Sequence, residues 1–136
     1  MPPIRILLVD DHDIVREALA LMLARADGVQ HVGSAASGEE AILEAQRLRP
    51  DVIIMDLGLP GISGMDATRS IIGDLPLTRI VAFSAHQTRE HVHQAFAAGA
   101  CAYVVKGSAG EDLLDAVEAV SAGNPYVSPA IAGLVA

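Results

Sequence analysis

Apolar residues in this chain follow two alternating rhythms. Short runs rich in β-branched residues stand at Ile4–Val9, Val29–Ser34, Val52–Met55, Ile80–Phe83 and Ala102–Val105. Their length and composition predict strands. Between them lie longer stretches in which apolar positions recur every three or four residues, the spacing of one helix face. The last such stretch is the plainest: Leu113, Val117 and Val120 make one stripe, with Glu111, Asp115 and Glu118 turned away from it. Helix limits are also legible. Ser37 with Glu40, Ser63 with Asp66 and Ser108 with Glu111 set a hydroxyl three residues ahead of an acid, the capping-box spacing. Pro50 limits the helix that follows Ser37, and Gly28 and Gly123 stand where glycines end helices.

Five strand–helix pairs imply a parallel sheet covered by helices on both faces and joined by right-handed crossovers. The apolar character of "DVIIMD" and "RIVAFS" suits strands buried on both sides. So few strands favour an open, doubly wound α/β sheet over a closed barrel. In such sheets the ligand crevice lies beyond the carboxyl ends of the strands, where the strand order reverses. With the order 2-1-3-4-5, strands 1 and 3 are neighbours.

Composition narrows the picture. At 136 residues the chain is long enough for one real core, and with only 3% aromatics that core must be built from Ala, Val, Ile and Leu. A formal charge of −8 argues against direct DNA contact by this segment and favours a cation or a basic partner. The single Cys101 excludes an internal disulfide, which fits a reducing cytoplasm. No apolar run is long enough for a membrane span, and the first one stops at carboxylates, so neither a signal peptide nor a membrane is expected.

The polar residues at the strand ends carry the chemistry. Strand 1 delivers Asp10 and Asp11, strand 3 Asp56, strand 4 Ser84 and strand 5 Lys106, all to one edge of the sheet. Carboxylates this close repel by roughly 1–4 kcal/mol per pair at about 4 Å. They are tolerated by raising a pKa or by binding a cation, and hard oxygen ligands favour Mg²⁺. Lys106 is the only lysine beside eight arginines, so a compact ammonium is wanted there. Carboxylate, divalent ion, hydroxyl and ammonium together make a phosphoryl-transfer site. Which aspartate reacts stays open at this point. Asp11-His12-Asp13-Ile14-Val15 fits the D-x-D-x-[TV] nucleophile string of haloacid-dehalogenase-like phosphatases. Alternatively, Asp10 and Asp11 hold the metal and the nucleophile lies elsewhere.

The strings "VDDHDIVR", "DVIIMDLGLPGISGMDA", "VAFSA" and "AYVVKGS" resemble a CheY-like response-regulator receiver domain, from Ile4 to about Gly123. That resemblance implies a flavodoxin-like five-stranded (βα)5 fold of order 2-1-3-4-5. It makes Asp56 the phospho-acceptor, with Asp10, Asp11, Asp56 and the main-chain carbonyl of Gly58 around Mg²⁺. Ser84 would hold a phosphoryl oxygen, Lys106 would pair with the phosphate, and Tyr103 matches an aromatic that turns inward during switching. Pro60 and Gly64 fit the turn after the phosphorylated strand, and Gly58 and His86 fall where phosphate lifetime is tuned. Ser84 stands where Thr is commoner, and Gly107 where many receivers have Pro, which leaves the isomer of the Lys106–Gly107 peptide open.

"DDHDIVREAL" and "AVEAVSAGNPYVSP" resemble the NarL/FixJ subfamily. The likeness implies a receiver over residues 1–123, with residues 124–136 starting a linker toward a helix-turn-helix domain. The expected partners are a sensor histidine kinase and, on activation, a second copy; DNA would be reached only through that further domain. The expected role is a phosphorylation-dependent signalling domain that assists its own phosphotransfer and dephosphorylation, not a conventional enzyme. A stand-alone receiver is the alternative. The phosphatase reading needs a later acidic motif at a strand end, whereas Glu111, Asp112, Asp115 and Glu118 lie in a helical pattern. Asp13 reads as a helix-start residue favoured by the macrodipole. A zinc site from His86, His91 and His93 is disfavoured because His91 and His93 do not share a helix face. A flavin site is disfavoured by the acidic first loop.

Overall fold

In this computed structural model, residues 2–107 and 110–135 are described. Strands and helices alternate: β1 (Ile4–Val9), α1 (Asp13–Arg25), β2 (Val29–Ala35), α2 (Gly38–Leu48), β3 (Val52–Asp56), α3 (Gly64–Asp74), β4 (Arg79–Ser84), α4 (Arg89–Ala98), β5 (Ala102–Val105) and α5 (Gly110–Ser121). A short β6 (Tyr126–Val127) and a 3₁₀ helix (Pro129–Leu134) follow. The strands form one parallel sheet in the order β2-β1-β3-β4-β5-β6.

The five expected strands form in the expected order, but the sheet has six strands, not five. Tyr126–Val127 pairs with Ala102–Tyr103 along the outer edge of β5. A two-residue strand after Gly-Asn-Pro has no periodicity to read, so only its tertiary partners reveal it. The stretch expected to start a linker is packed against the domain from Tyr126 to Leu134, with Ile131 only 2% exposed.

Alternation along each strand divides the core into two layers. Leu7, Val9, Ile53, Met55, Ile80, Tyr103 and Val105 face the side covered by α2, α3 and α4. Ile6, Leu8, Ile54, Val81, Phe83 and Val104 face Leu23 of α1 and Leu113, Val117 and Val120 of α5. The apolar stripe of α5 is thus buried, while Glu111, Asp115 and Glu118 are exposed.

The capping reading holds at Ser37 and Ser63. The hydroxyls of Ser37 and Ser63 accept from the backbone N–H of Glu40 and Asp66, each at 3.1 Å. The Ser108 cap falls outside the described residues. Gly28 and Gly123 both adopt positive φ, 79° and 84°.

Gly64 is a packing requirement of the site's own loop. A Cβ there would lie 2.2 Å from the Asp56 carbonyl oxygen and 2.7 Å from Leu57 Cα. Gly64→Ala must therefore displace backbone immediately after β3, and urea unfolding should show a loss of about 1–3 kcal/mol. Gly73, in the last turn of the same helix, has open space where a methyl group would stand. Gly73→Ala should instead stabilise by about 0.5–1 kcal/mol.

Candidate functional site

Parallel pairing puts the carboxyl ends of β1, β3, β4 and β5 on one edge, and the polar residues delivered there meet. Asp10, Asp56 and Ser84 are 1%, 1% and 2% exposed. The Lys106 ammonium lies 3.2 Å from Asp10 Oδ2 and 3.1 Å from Asp56 Oδ1, bridging strands that are not adjacent to β5. Its own backbone N–H donates to the Ser84 carbonyl at 2.7 Å, which fixes the lysine's backbone to β4.

Hydrogen-bond donors reach only one oxygen of Asp10 and of Asp56. Asp56 Oδ1 accepts from the Gly58 N–H at 2.9 Å. Asp10 Oδ1 accepts from the His12 N–H at 2.8 Å and lies 2.9 Å from His12 Nδ1. The same ring nitrogen is 3.2 Å from Asp11 Oδ1, and Arg16 donates to the Asp10 carbonyl at 2.6 Å. Sequence reasoning misses these roles of His12 and Arg16; both residues stand in the string "DDHDIVR", but the contacts depend on how the turn folds. What remains is telling: Asp10 Oδ2, Asp11 Oδ1 and Asp56 Oδ2 are buried without a hydrogen-bond partner. Lys106 is within ion-pair range of the first of these but is not aligned to hydrogen-bond it.

The electrostatics follow. Burial pushes the Asp10 carboxyl up, but the His12 donors and Lys106 outweigh it and hold the group below the usual carboxylate range. Burial likewise pushes Asp56 up, and there the Gly58 and Lys106 donors do not compensate, because the Asp10 charge adds to the burial. Lys106 loses some basicity to burial and regains more from Asp56 and Asp10, so its ammonium is reinforced.

Ligand atoms of Asp10, Asp11, His12 and Asp56 all lie within 4.8 Å of one another. Three orphaned carboxylate oxygens in a half-dry cleft are what a hard divalent cation requires, so the residues fit Mg²⁺. Of Gly58, the N–H faces Asp56; its carbonyl as a ligand remains an expectation.

Ser84 Oγ accepts from the His86 N–H at 3.1 Å. Tyr103 is fully buried, and its hydroxyl donates to the His86 carbonyl at 2.8 Å. Burial raises its pKa. The aromatic expected to turn inward is therefore already inward in this structure, tied to the β4–α4 loop. The peptide joining Lys106 to Gly107 is trans.

The competing readings find less support. Asp13, the second aspartate of the phosphatase-like string, is 81% exposed and pairs with Arg16 one turn along α1. Past Lys106, Glu111, Asp115 and Glu118 face outward, and Asp112 is bound to Tyr126 and Ser128. His86 and His91 stack with ring centres 3.9 Å apart and planes within 5°, an arrangement that sets faces together, not nitrogens.

The family model "Response regulator receiver domain" matches residues 6–118. The chain is a response-regulator receiver domain. This receiver is 43% identical over 129 residues to the response regulator GacA of Pseudomonas viridiflava, covering 95% of the chain and 60% of GacA. It is 36% identical to the transcriptional regulatory protein LiaR of Bacillus subtilis, covering 97% of the chain and 63% of LiaR. The receiver thus spans about 60% of the length of the curated relatives it matches. A crystal structure of a LuxR-family two-component response regulator from Aurantimonas superposes with a TM-score of 0.94 at 41% identity, covering 98% of this chain and 95% of that one. These relatives place the receiver in the NarL/FixJ subfamily. Among the described residues, no helix is long and apolar enough to cross a membrane.

Proposed function

We propose that this receiver is switched by phosphorylation of Asp56. The observation that carries the reading is the pairing of an orphaned Asp56 Oδ2 with an Oδ1 held by Lys106 and the Gly58 N–H. One oxygen is anchored and the other opens onto the cleft without a protein hydrogen-bond donor. Asp56 would attack the phosphorus of a phosphohistidine on a sensor kinase in line; the O–P bond forms as the P–N bond breaks, and the histidine leaves with the electron pair. Asp10, Asp11, Asp56 and the Gly58 carbonyl would hold Mg²⁺, which when bound supplies positive charge to the phosphoryl oxygens. Lys106 supplies the second positive charge from the β5 side. Ser84 Oγ, now engaged by the His86 N–H, would rotate to the phosphoryl group, and that loop also carries the carbonyl that holds Tyr103. Phosphorylation would in this way reach α4 and β5.

The same site would assist hydrolysis of its own acyl phosphate. The natural output is read as transcription control by a helix-turn-helix domain after residue 136, with residues 1–123 as the phosphorylated body. Likeness to the regulators GacA and LiaR supports this, and a net charge of −8 disfavours DNA contact by the receiver itself. Activation by pairing with a second copy and a cytoplasmic setting belong to the same proposal. The test is transfer from acetyl phosphate in Mg²⁺, with the adduct located by mass spectrometry. One phosphate on the peptide containing Asp56 is expected; a phosphate on Asp11 would restore the phosphatase reading.

A further inference from the structure

The function just proposed makes no use of Asp112, a buried acidic residue outside the carboxylate cleft. Asp112, in the first turn of α5, is 9% exposed, and it accepts from two hydroxyls beyond the helix. Tyr126 donates to its Oδ1, and Ser128 Oγ donates to its Oδ2 at 2.7 Å. Ser128 is fully buried and makes two further bonds, both to β5: its N–H donates to the Tyr103 carbonyl at 2.9 Å, and its Oγ accepts from the Val105 N–H at 2.9 Å. The 3₁₀ helix then inserts Ile131 into the core layer containing Val92, Tyr103 and Val105. Its end is tied to α4 where Arg89 Nε donates to the Leu134 carbonyl at 2.6 Å.

Val105 immediately precedes Lys106. The end of β5 is therefore held from both flanks, by the Ser84 carbonyl on one side and by Ser128 on the other. A merely decorative edge strand would need only ladder bonds. Here a buried carboxylate, which costs free energy to bury unless well paired, is used to orient one hydroxyl at the residue next to the lysine.

We propose that Asp112 and Ser128 are positioning residues for Lys106, so that docking of residues 124–135 and occupancy of the Asp56 site are coupled in free energy. The inference rests on the reading of Asp56 as the phospho-acceptor. If docking of the segment favours the lysine position that the occupied site uses, occupancy favours docking by the same factor, because linkage is reciprocal. Residues 124–135 then form the part of the domain that carries the state of the site to whatever follows.

The experiment uses the 136-residue chain with beryllofluoride and Mg²⁺ as a stable mimic of the phosphoryl group. Hydrogen exchange at the amides of Ser128 and Ile131 is expected to slow about fivefold or more when the adduct forms, the lower end of ordinary coupling. Ser128→Ala and Tyr126→Phe should each weaken the apparent affinity for beryllofluoride by several-fold. Both variants keep every carboxylate of the cleft, so Mg²⁺ should still bind without beryllofluoride, and its retention shows that the cleft is intact. Tyr126→Phe removes a hydroxyl at the half-buried rim and keeps the question answerable if Ser128→Ala does not fold. A purely structural role would lower thermal stability in both variants and leave beryllofluoride affinity as it was, and that result overturns the coupling. An adduct on Asp56 with unchanged exchange over residues 126–135 also overturns it, while sparing the phospho-acceptor. No adduct on Asp56 removes both.

Discussion

Asp56→Asn is expected to abolish phosphoryl uptake from acetyl phosphate while making the domain harder to unfold. The first effect follows from chemistry: the amide lacks the free anionic oxygen that Asp56 Oδ2 offers, and the other cleft carboxylates are held differently. Asp10 Oδ1 is occupied by two donors of His12, and Asp11 leans on the same ring. Mass spectrometry should find the variant unlabelled under conditions that label the native chain. The second effect follows from the raised pKa of Asp56, caused by burial and then by the Asp10 charge against incomplete compensation from Gly58 and Lys106. A carboxyl whose folded pKa lies above its unfolded value favours the folded state fully at pH below the unfolded value, and that contribution is lost as pH rises through the folded one. At neutral pH the charged form is thus a liability, and Asn removes it at similar size. Thermal or urea unfolding at pH 7 should show a gain on the order of 1 kcal/mol, the scale of one relieved carboxylate repulsion. The gain should shrink at acidic pH, where native Asp56 is itself protonated. A variant less stable than the native chain at pH 7 would show that Lys106 needs Asp56 more than Asp10 resents it.

The contrast between two kinds of aspartate shows how much of this site is legible in the chain. Asp10 and Asp56 can be placed from strand periodicity alone, because a strand buried on both faces ends where its first carboxylate appears. Asp13 lies two residues from Asp11 and belongs to a string that mimics another chemistry, yet it is exposed on the first turn of α1. Sequence spacing along a turn says little about direction; spacing along a strand says much. For the same reason the roles of His12 and Arg16 are hidden, although both stand inside the most informative string. Resemblance assigns Tyr103 to a switch, but its inward placement is a rotamer fixed by the His86 carbonyl, which no pattern in the chain encodes. The α4 cap escapes notice because Thr88 is followed at the third position by His91, which lacks the acidic side chain of a capping box. β6 is invisible because its stability resides in Asp112, 14 and 16 residues before its hydroxyl partners.

Lys106→Met should produce the largest change in stability. It leaves two carboxylates, 1% and 2% exposed at their side chains, without the ammonium that sits within 3.2 Å of each. Removing one partner of a buried ion pair costs about 3–5 kcal/mol, and the near-isosteric thioether leaves no cavity to confuse the cause. The lower end suits this site, because Lys106 is 23% exposed and water will reach the freed oxygens. A loss of about 3 kcal/mol would lower the melting temperature by on the order of 10 °C. Mg²⁺ at millimolar concentration should return more stability to this variant than to the native chain, because ion and ammonium offset the same carboxylate charge and partly substitute for each other. Phosphoryl uptake should not recover with it. The lysine also stands where charge develops on the transferred group, and loss of such a donor slows chemistry by roughly 100-fold. Lys106→Arg should restore stability better than rate, since a planar fork preserves the charge but not a compact ammonium between Asp10 Oδ2 and Asp56 Oδ1. Equal melting temperatures for Lys106→Met and the native chain in metal-free buffer would mean that the cleft sheds its charge by protonation, and the case for Lys106 as its counter-ion would fall.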